Sequence, residues 1–203
     1  MRAKASKERE SITDFEYITA LTAVLIGLAV ADMATSLHKL LRHRRRVKWD
    51  WVAPIAALVI LVELFGLWWN WRRFDGNTIA EIAPYFLLLV LMFLAASVTL
   101  PDEVPEDGLD LGAYFDETRG YFWTVYGTYV TIWIGMWTIE AISEGKGFLD
   151  LLRAFSFDYP WIGAAFTLVF VRARWASGLL LVVTLLWLLF EFDWWSRPLG
   201  SVG

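Results

Sequence analysis

Apolar residues in this chain gather into six long runs that are separated by short polar segments. A helix of about 20 apolar residues, rising about 1.5 Å per residue, crosses a hydrocarbon core of about 30 Å. We therefore predict an all-α fold, a polytopic membrane helix bundle with about six transmembrane helices. The predicted spans are residues 17–41, 50–71, 79–100, 121–142, 148–171 and 175–195.

Charged residues and a proline interrupt the first half of the fifth span. Asp150, Arg153, Asp158 and Pro160 all precede the uninterrupted apolar stretch at 161–171. A proline kinks a helix, and charged residues favour the membrane surface over the hydrocarbon core. We expect helix 5 to be kinked or partly interfacial.

The segments outside the spans are too short to form a soluble domain of their own. The sequence therefore divides into an N-terminal arm at 1–16, a transmembrane bundle at 17–195 and a C-terminal tail at 196–203. The longest loop inside the bundle is the acidic loop 101–118.

The N-terminus has basic residues before an apolar run, as a signal peptide does. Acidic residues are interspersed in this arm, however, and the helical periodicity continues to Leu41. Thr13 and Glu16 have the spacing of a capping box. These features predict a retained helix 1 that begins near Asp14.

Composition supports the membrane interpretation and removes several kinds of chemistry. Apolar residues make up 58% of the chain, the mean hydropathy is +0.49, and 13 residues are Trp. The absence of Cys excludes disulfides, Cys-ligated zinc and thiol catalysis. A net charge of −4 argues against a nucleic-acid partner. The acidic loop does not have the ligand spacing of an EF-hand, so we predict a solvated turn and no metal site, with casual cation binding as the alternative. We also predict no cofactor.

A basic cluster follows helix 1 and ends in two tryptophans. Such a juxtamembrane cluster attracts anionic lipid headgroups by about 1 kcal/mol per basic residue. The alternative interpretation is that the cluster only sets the topology of the chain and anchors the helix end. The residues predicted to contact lipid or a partner are Arg42, Arg44, Arg45, Arg46, Lys48, Trp49 and Trp51.

Carboxylates within the spans are costly, at about 2.5–3.5 kcal/mol near the bilayer centre. Glu63 lies deep in helix 2, and Asp32 lies within helix 1. Thr128 and Thr131 belong to a stripe of Thr and Gly along helix 4. These four residues are candidates for an ion or proton pathway, although carboxylates and hydroxyls also serve as hydrogen-bonding groups between helices.

Small residues form a seam along one face of helix 1. Small seams let helices approach closely, so we predict this face to be the contact surface of helix 1. Its members are Ala20, Ala23, Gly27, Ala31 and Ala34, with His38 on the same face.

Several short segments of the chain stand out together: HRRRVKWDW at 43–51, LP at 100–101, DGLDL at 107–111, YF at 114–115, and Arg119 with YFW at 121–123. With these segments the chain resembles a group of uncharacterised multi-pass bacterial membrane proteins. The resemblance implies a bacterial inner-membrane location and brings no activity with it. It also draws attention to Arg119, which we expect to pair with Asp116 or Glu117 on grounds of proximity.

No nucleophile elbow, phosphate-binding loop or His-Glu-x-x-His motif occurs, so we predict no catalytic residues and no enzyme. An intramembrane enzyme using Asp or Glu stays an alternative. The preferred prediction is a non-catalytic membrane subunit or scaffold that assembles through helix packing and anionic-lipid contacts, as a homo-oligomer or in a larger complex. The alternative is a small ion channel or proton-coupled transporter that uses the intramembrane carboxylates.

Overall fold

The computed structural model describes residues 2–71, 78–156 and 158–191, and the side chains of 19–70, 78–156 and 158–190. The chain is all-helical, which confirms the predicted class: helices account for 80% of it. The seven helices in the described residues are α1 Arg2–Arg42, α2 Val52–Trp71, α3 Ile79–Ala96, α4 Leu111–Ser143, α5 Phe148–Ala154, α6 Asp158–Phe170 and α7 Arg174–Glu191. Two strands of two residues each, β1 Val47–Lys48 and β2 Leu109–Asp110, pair in parallel.

Three helices are long and apolar enough to cross a membrane. The qualifying segments are Thr19–Arg42 of α1, Val52–Asn70 of α2 and Ile79–Ala96 of α3. The apolar part of α7, Arg174–Phe190, is shorter than these. Length and composition thus support a membrane location through three helices.

The helix starts follow from local capping chemistry. Thr78 caps α3, and Glu81 completes the capping box by accepting the Thr78 backbone N–H. Asp110 caps α4, where its Oδ1 accepts the backbone N–H groups of Gly112 and Ala113 at 2.9 and 3.1 Å. Capping therefore fixes where both helices begin.

Helix α4 provides much of the packed interior and contacts α2, α3 and α6. Its buried aromatic rings form a column along the helix. The Phe122 and Tyr126 rings stack with centroids 5.8 Å apart, and the Tyr126 and Tyr129 rings with centroids 5.9 Å apart. Rings at these distances pack favourably beyond the area they bury. The column thus fills the interior side of α4 with aromatic rings.

Helix α1 begins at Arg2, not near Asp14 as the capping-box spacing predicts. The helix runs continuously through Thr13, so residues 2–16 of the predicted arm are its first turns. A capping box forms only where the chain before it leaves the helical conformation. The spacing of Thr13 and Glu16 is therefore that of two residues within a helix.

The predicted fifth span is divided into α5 and α6. α5 has seven residues, and α6 has 13. Pro160 lies in the first turn of α6, where its missing N–H breaks no helical hydrogen bond. The break thus comes before the proline, and the apolar half of the predicted span becomes α6.

The small-residue seam of α1 is not its contact surface within the chain. All five seam residues and His38 are exposed, and a Cβ built on Gly27 would meet nothing within 4 Å. The buried face lies on the opposite side of the helix, since about 100° separates successive residues. That buried face consists of Thr22, Ala29, Met33, Ser36 and Leu40.

Parts of three predicted segments lie outside the described residues. These are the connection 72–77 between α2 and α3, the end of the sixth span at 192–195, and the tail 196–203.

Candidate functional site

The deepest predicted carboxylate, Glu63, lies in the interface between α2 and α4. Its Oε1 accepts a hydrogen bond from the Tyr126 hydroxyl at 3.1 Å, and its Oε2 accepts one from the Tyr129 hydroxyl at 2.9 Å. Each carboxylate oxygen thus has its own donor from the neighbouring helix. We call these three residues the Glu63 cluster.

Helix α7 contacts the Glu63 cluster at Tyr126. The Thr184 side chain lies in hydrogen-bonding reach of the Tyr126 hydroxyl. One turn earlier on α4, the Trp123 indole N–H donates to the Ser177 hydroxyl of α7 at 3.1 Å, and both residues are fully buried. Buried polar groups that lack partners are costly, and these contacts supply partners across three helices.

The Thr and Gly stripe of α4 faces away from Glu63. The Thr128 and Thr131 hydroxyls each donate to a carbonyl four residues earlier in α4, both at 2.7 Å. A Cβ on Gly127 would meet the Phe166 ring at 3.3 Å, so α6 packs closely against α4 at Gly127. The structure does not bring Thr128 or Thr131 together with Glu63.

Asp32 lies close to the loop end of the bundle. One turn after it, the Ser36 hydroxyl donates to an Asp102 carboxylate oxygen at 3.3 Å. Burial raises the pKa of the Tyr114 phenol to about 12, and the negative charge of Asp32 adds to this, together with other nearby carboxylates. The charge of Asp32 therefore acts on Tyr114 near the loop end, and Asp32 is not part of the Glu63 cluster.

The basic cluster is exposed and docks against the acidic loop through its backbone. Leu109 donates its N–H to the carbonyl oxygen of Arg46 at 3.0 Å, beside the β1–β2 pair. Gly108 precedes this contact with a φ of +103°, and a Cβ there would meet that carbonyl oxygen at 2.9 Å. A glycine is thus required for the close approach. The side chains predicted to contact lipid or a partner, Arg42, Arg44, Arg45, Arg46, Lys48, Trp49 and Trp51, all remain exposed.

Charged side chains tie the basic cluster to the acidic loop. Lys48 pairs with Asp110 at 2.7 Å. This hydrogen bond, together with the capping N–H groups, holds the pKa of Asp110 below its usual range. The Lys39 ammonium donates to the carbonyl oxygen of Asp102 at 2.7 Å.

Arg174 was not singled out by the sequence, yet it joins three segments. Its guanidinium binds Asp116 of α4 and lies 3.4 Å from an Asp50 carboxylate oxygen before α2. Gly112 leaves room for it, since a Cβ there would clash with Nη1 of Arg174. Only the folded chain brings these residues together, because 124 positions separate Asp50 from Arg174.

Arg119 is buried, but it does not pair with Asp116 or Glu117 as proximity in the sequence predicts. Its Nη1 donates to the Leu168 carbonyl oxygen at 2.9 Å and to the Val171 carbonyl oxygen. These carbonyls belong to the end of α6, where helical partners run out and a cation is favoured. The prediction is wrong because Asp116 pairs with Arg174. The Arg119 guanidinium instead donates to carbonyl groups at the end of α6, which have no partner within the helix.

The described residues contain no group of three or more His, Asp or Glu side chains placed to hold a metal ion. The chain matches no protein-family model, no curated protein and no solved structure. The resemblance to multi-pass bacterial membrane proteins stays a prediction.

Proposed function

We propose that the chain is a non-catalytic membrane subunit or scaffold that assembles through helix packing. The observation that carries this proposal is the uncovered small-residue seam of α1. Ala20, Ala23, Gly27, Ala31 and Ala34 are all exposed although they form the face best suited to close helix contact. A second copy, or a helix of a larger complex, would cover this seam.

Glu63 supports the same interpretation. Both of its oxygens are engaged by tyrosine hydroxyls of α4, so its cost of burial is offset within the chain. It acts as a link between α2 and α4. The channel or transporter alternative gains no comparable support from the described residues, because the Thr128 and Thr131 hydroxyls donate to carbonyls within α4.

The bundle is proposed to cross a bacterial inner membrane about six times. The β1–β2 pair joins the α1–α2 connection to the α3–α4 connection, and Arg174 at the start of α7 contacts Asp50 before α2 and Asp116 near the start of α4. These three connections therefore lie at one end of the bundle. Between any two of them, we expect the chain to cross the membrane an even number of times. Cysteine labelling from each side tests it: Glu106→Cys and Lys146→Cys should react from opposite sides of the membrane.

Because the chain has no Cys, disulfide trapping gives a clean test of assembly. Ala23→Cys and Ala31→Cys should each form a crosslinked dimer in membranes under mild oxidation if a second copy covers the seam. Leu28→Cys is the matched control, since it is exposed about 100° away from Gly27 on the same helix.

Equal crosslinking at all three positions would contradict an interface at the seam. Co-purification in mild detergent then separates a larger complex from a monomer, and a monodisperse monomer without a partner would reject the scaffold. The transport alternative predicts that Glu63→Gln alters ion leak in liposomes, and unchanged leak would remove it.

A further inference from the structure

A charged cleft opens between the start of α4 and the end of α6. Its volume is about 680 Å³, which is the size of a small-ligand site. Two arginines and two carboxylates contribute to a mixed polar and apolar wall. The lining residues are Asp116, Glu117, Arg119, Gly120, Val169 and Arg172.

Arg119 lines this cleft, and part of its hydrogen-bonding capacity is unused. The residue is only 6% exposed, and Nη1 is taken by the two carbonyls at the end of α6. Its Nε and Nη2 groups donate to no oxygen of the described residues, and no carboxylate there forms an ion pair with it. The free edge is the one with which a guanidinium binds phosphate in a bidentate manner.

The remaining charges of the cleft have opposite signs. Asp116 is neutralised by Arg174, which leaves Glu117 as the available carboxylate. Glu117 and Arg172 are both exposed and have no hydrogen bond or ion pair among the described residues. The cleft therefore presents two guanidinium groups to an anion and one carboxylate to a cation. A ligand that carries one positive and one negative charge matches this pattern.

The position of the cleft selects a lipid as the source of such a ligand. Trp175 and Trp51 are exposed at the same end of the bundle, as tryptophans are at a membrane–water interface. Val169 adds an apolar wall on the α6 side, beside which an acyl chain can lie. The charged groups thus lie at the level of lipid headgroups.

We propose that this cleft binds the phosphoethanolamine headgroup of a phospholipid. The phosphate accepts hydrogen bonds from the free edge of Arg119 and from Arg172, and the primary ammonium donates to Glu117. A phosphocholine headgroup carries the same charges but has no ammonium N–H to donate. A phosphoglycerol headgroup has the phosphate and lacks the cation.

The proposal predicts a ranking of lipids for the full-length protein, delipidated in detergent micelles. Titration with short-chain lipids, followed by phosphorus NMR, should give a phosphatidylethanolamine affinity about three- to tenfold above those of phosphatidylcholine and phosphatidylglycerol. Glu117→Gln should abolish the preference over phosphatidylcholine. Arg172→Gln should weaken the binding of all three lipids.

Two variants that remove the same charges elsewhere are the controls. Glu106→Gln and Arg153→Gln change exposed residues outside the cleft and should leave the ranking intact. Arg119→Lys keeps the positive charge but loses the bidentate edge, so it should weaken binding while thermal unfolding reports whether the bundle still folds.

Equal affinities for the three lipids, no measurable binding, or an unchanged preference in Glu117→Gln would overturn the proposal. Free phosphoethanolamine serves as a competitor that distinguishes the sources of the headgroup. Weak competition supports the lipid, whereas competition at equal molar concentration would reject the lipid as the source.

Discussion

The Glu63 cluster and the charged contacts at the loop end hold their carboxylates in opposite ways. Glu63 meets two neutral hydroxyls carried by stacked aromatic rings. Asp110 and Asp116 instead meet the full positive charges of Lys48 and Arg174. The two regions thus use different donors for the same acceptor group.

The surrounding medium explains this difference. The Tyr126 and Tyr129 side chains are buried between α2 and α4, so a hydroxyl or carboxylate that loses its partner there is poorly solvated and costs free energy. At the loop end, water and salt ions replace a lost partner, and exposed pairs contribute little. We therefore expect the two hydrogen bonds to Glu63 to contribute more to the free energy of unfolding than the ion pairs at the loop end.

The largest expected effect comes from removing both hydroxyls that bind Glu63. Tyr126→Phe with Tyr129→Phe keeps the aromatic rings and should lower the free energy of unfolding by about 2–3 kcal/mol. Thermal unfolding in detergent micelles measures this loss. In a double-mutant cycle, each tyrosine should couple to Glu63→Gln by about 0.6–1.7 kcal/mol. Additive effects in this cycle would show that the hydroxyls do not act through Glu63.

Arg119→Met should rank second, because it removes the donor of two carbonyls at the end of α6. We expect a loss of about 1–2 kcal/mol in the free energy of unfolding. Arg172→Met, in the same cleft but without bonds of its own, is the control and should be close to neutral. An equal loss in both variants would mean that Arg119 acts through the charge of the cleft and not as a cap for α6.

The Lys48 and Asp110 pair should produce a smaller and pH-dependent effect. Since the pKa of Asp110 is lowered in the folded state, its carboxylate stabilises the fold above its unfolded pKa of about 3.9. This stabilisation is lost as the pH falls through the folded pKa. Melting temperatures of the protein and of Asp110→Asn should therefore differ at pH 7 and converge in acid. A difference that stays constant with pH would contradict the ion pair.

The smallest effect is expected from Thr128→Val and Thr131→Val. Both hydroxyls bond to carbonyls that are already engaged in α4, so the free energy of unfolding should change by less than about 0.5 kcal/mol. Unfolding measured beside the tyrosine variants checks this. A large loss would assign these threonines to the contact between α4 and α6.

Sequence patterns located the helices well where the apolar runs are unbroken. The predicted spans at 50–71 and 79–100 correspond closely to α2 and α3, since length and hydropathy together define such a helix. The start of α1 and the division of the fifth span were less predictable. Helix ends depend on local capping and on contacts with other segments, which a run of apolar residues does not encode.

The sequence pattern also did not predict which face of α1 packs inside the chain. A seam of small residues indicates that a helix can be approached closely, but it does not say by which neighbour. Helices α2 and α3 instead cover the face with Ala29, Met33 and Leu40, where larger side chains bury more apolar area.

The sequence by itself determined that the chain is all-helical, that it has apolar helices of membrane length, and that Glu63 requires a partner. These properties follow from composition and spacing within one segment at a time. Only the tertiary structure decided that Tyr126 and Tyr129 are those partners, that Arg174 joins Asp50 to Asp116, and that Arg119 faces both α6 and the cleft. Contacts between residues this far apart depend on how the helices rotate and cross, and packing of the whole bundle sets that geometry.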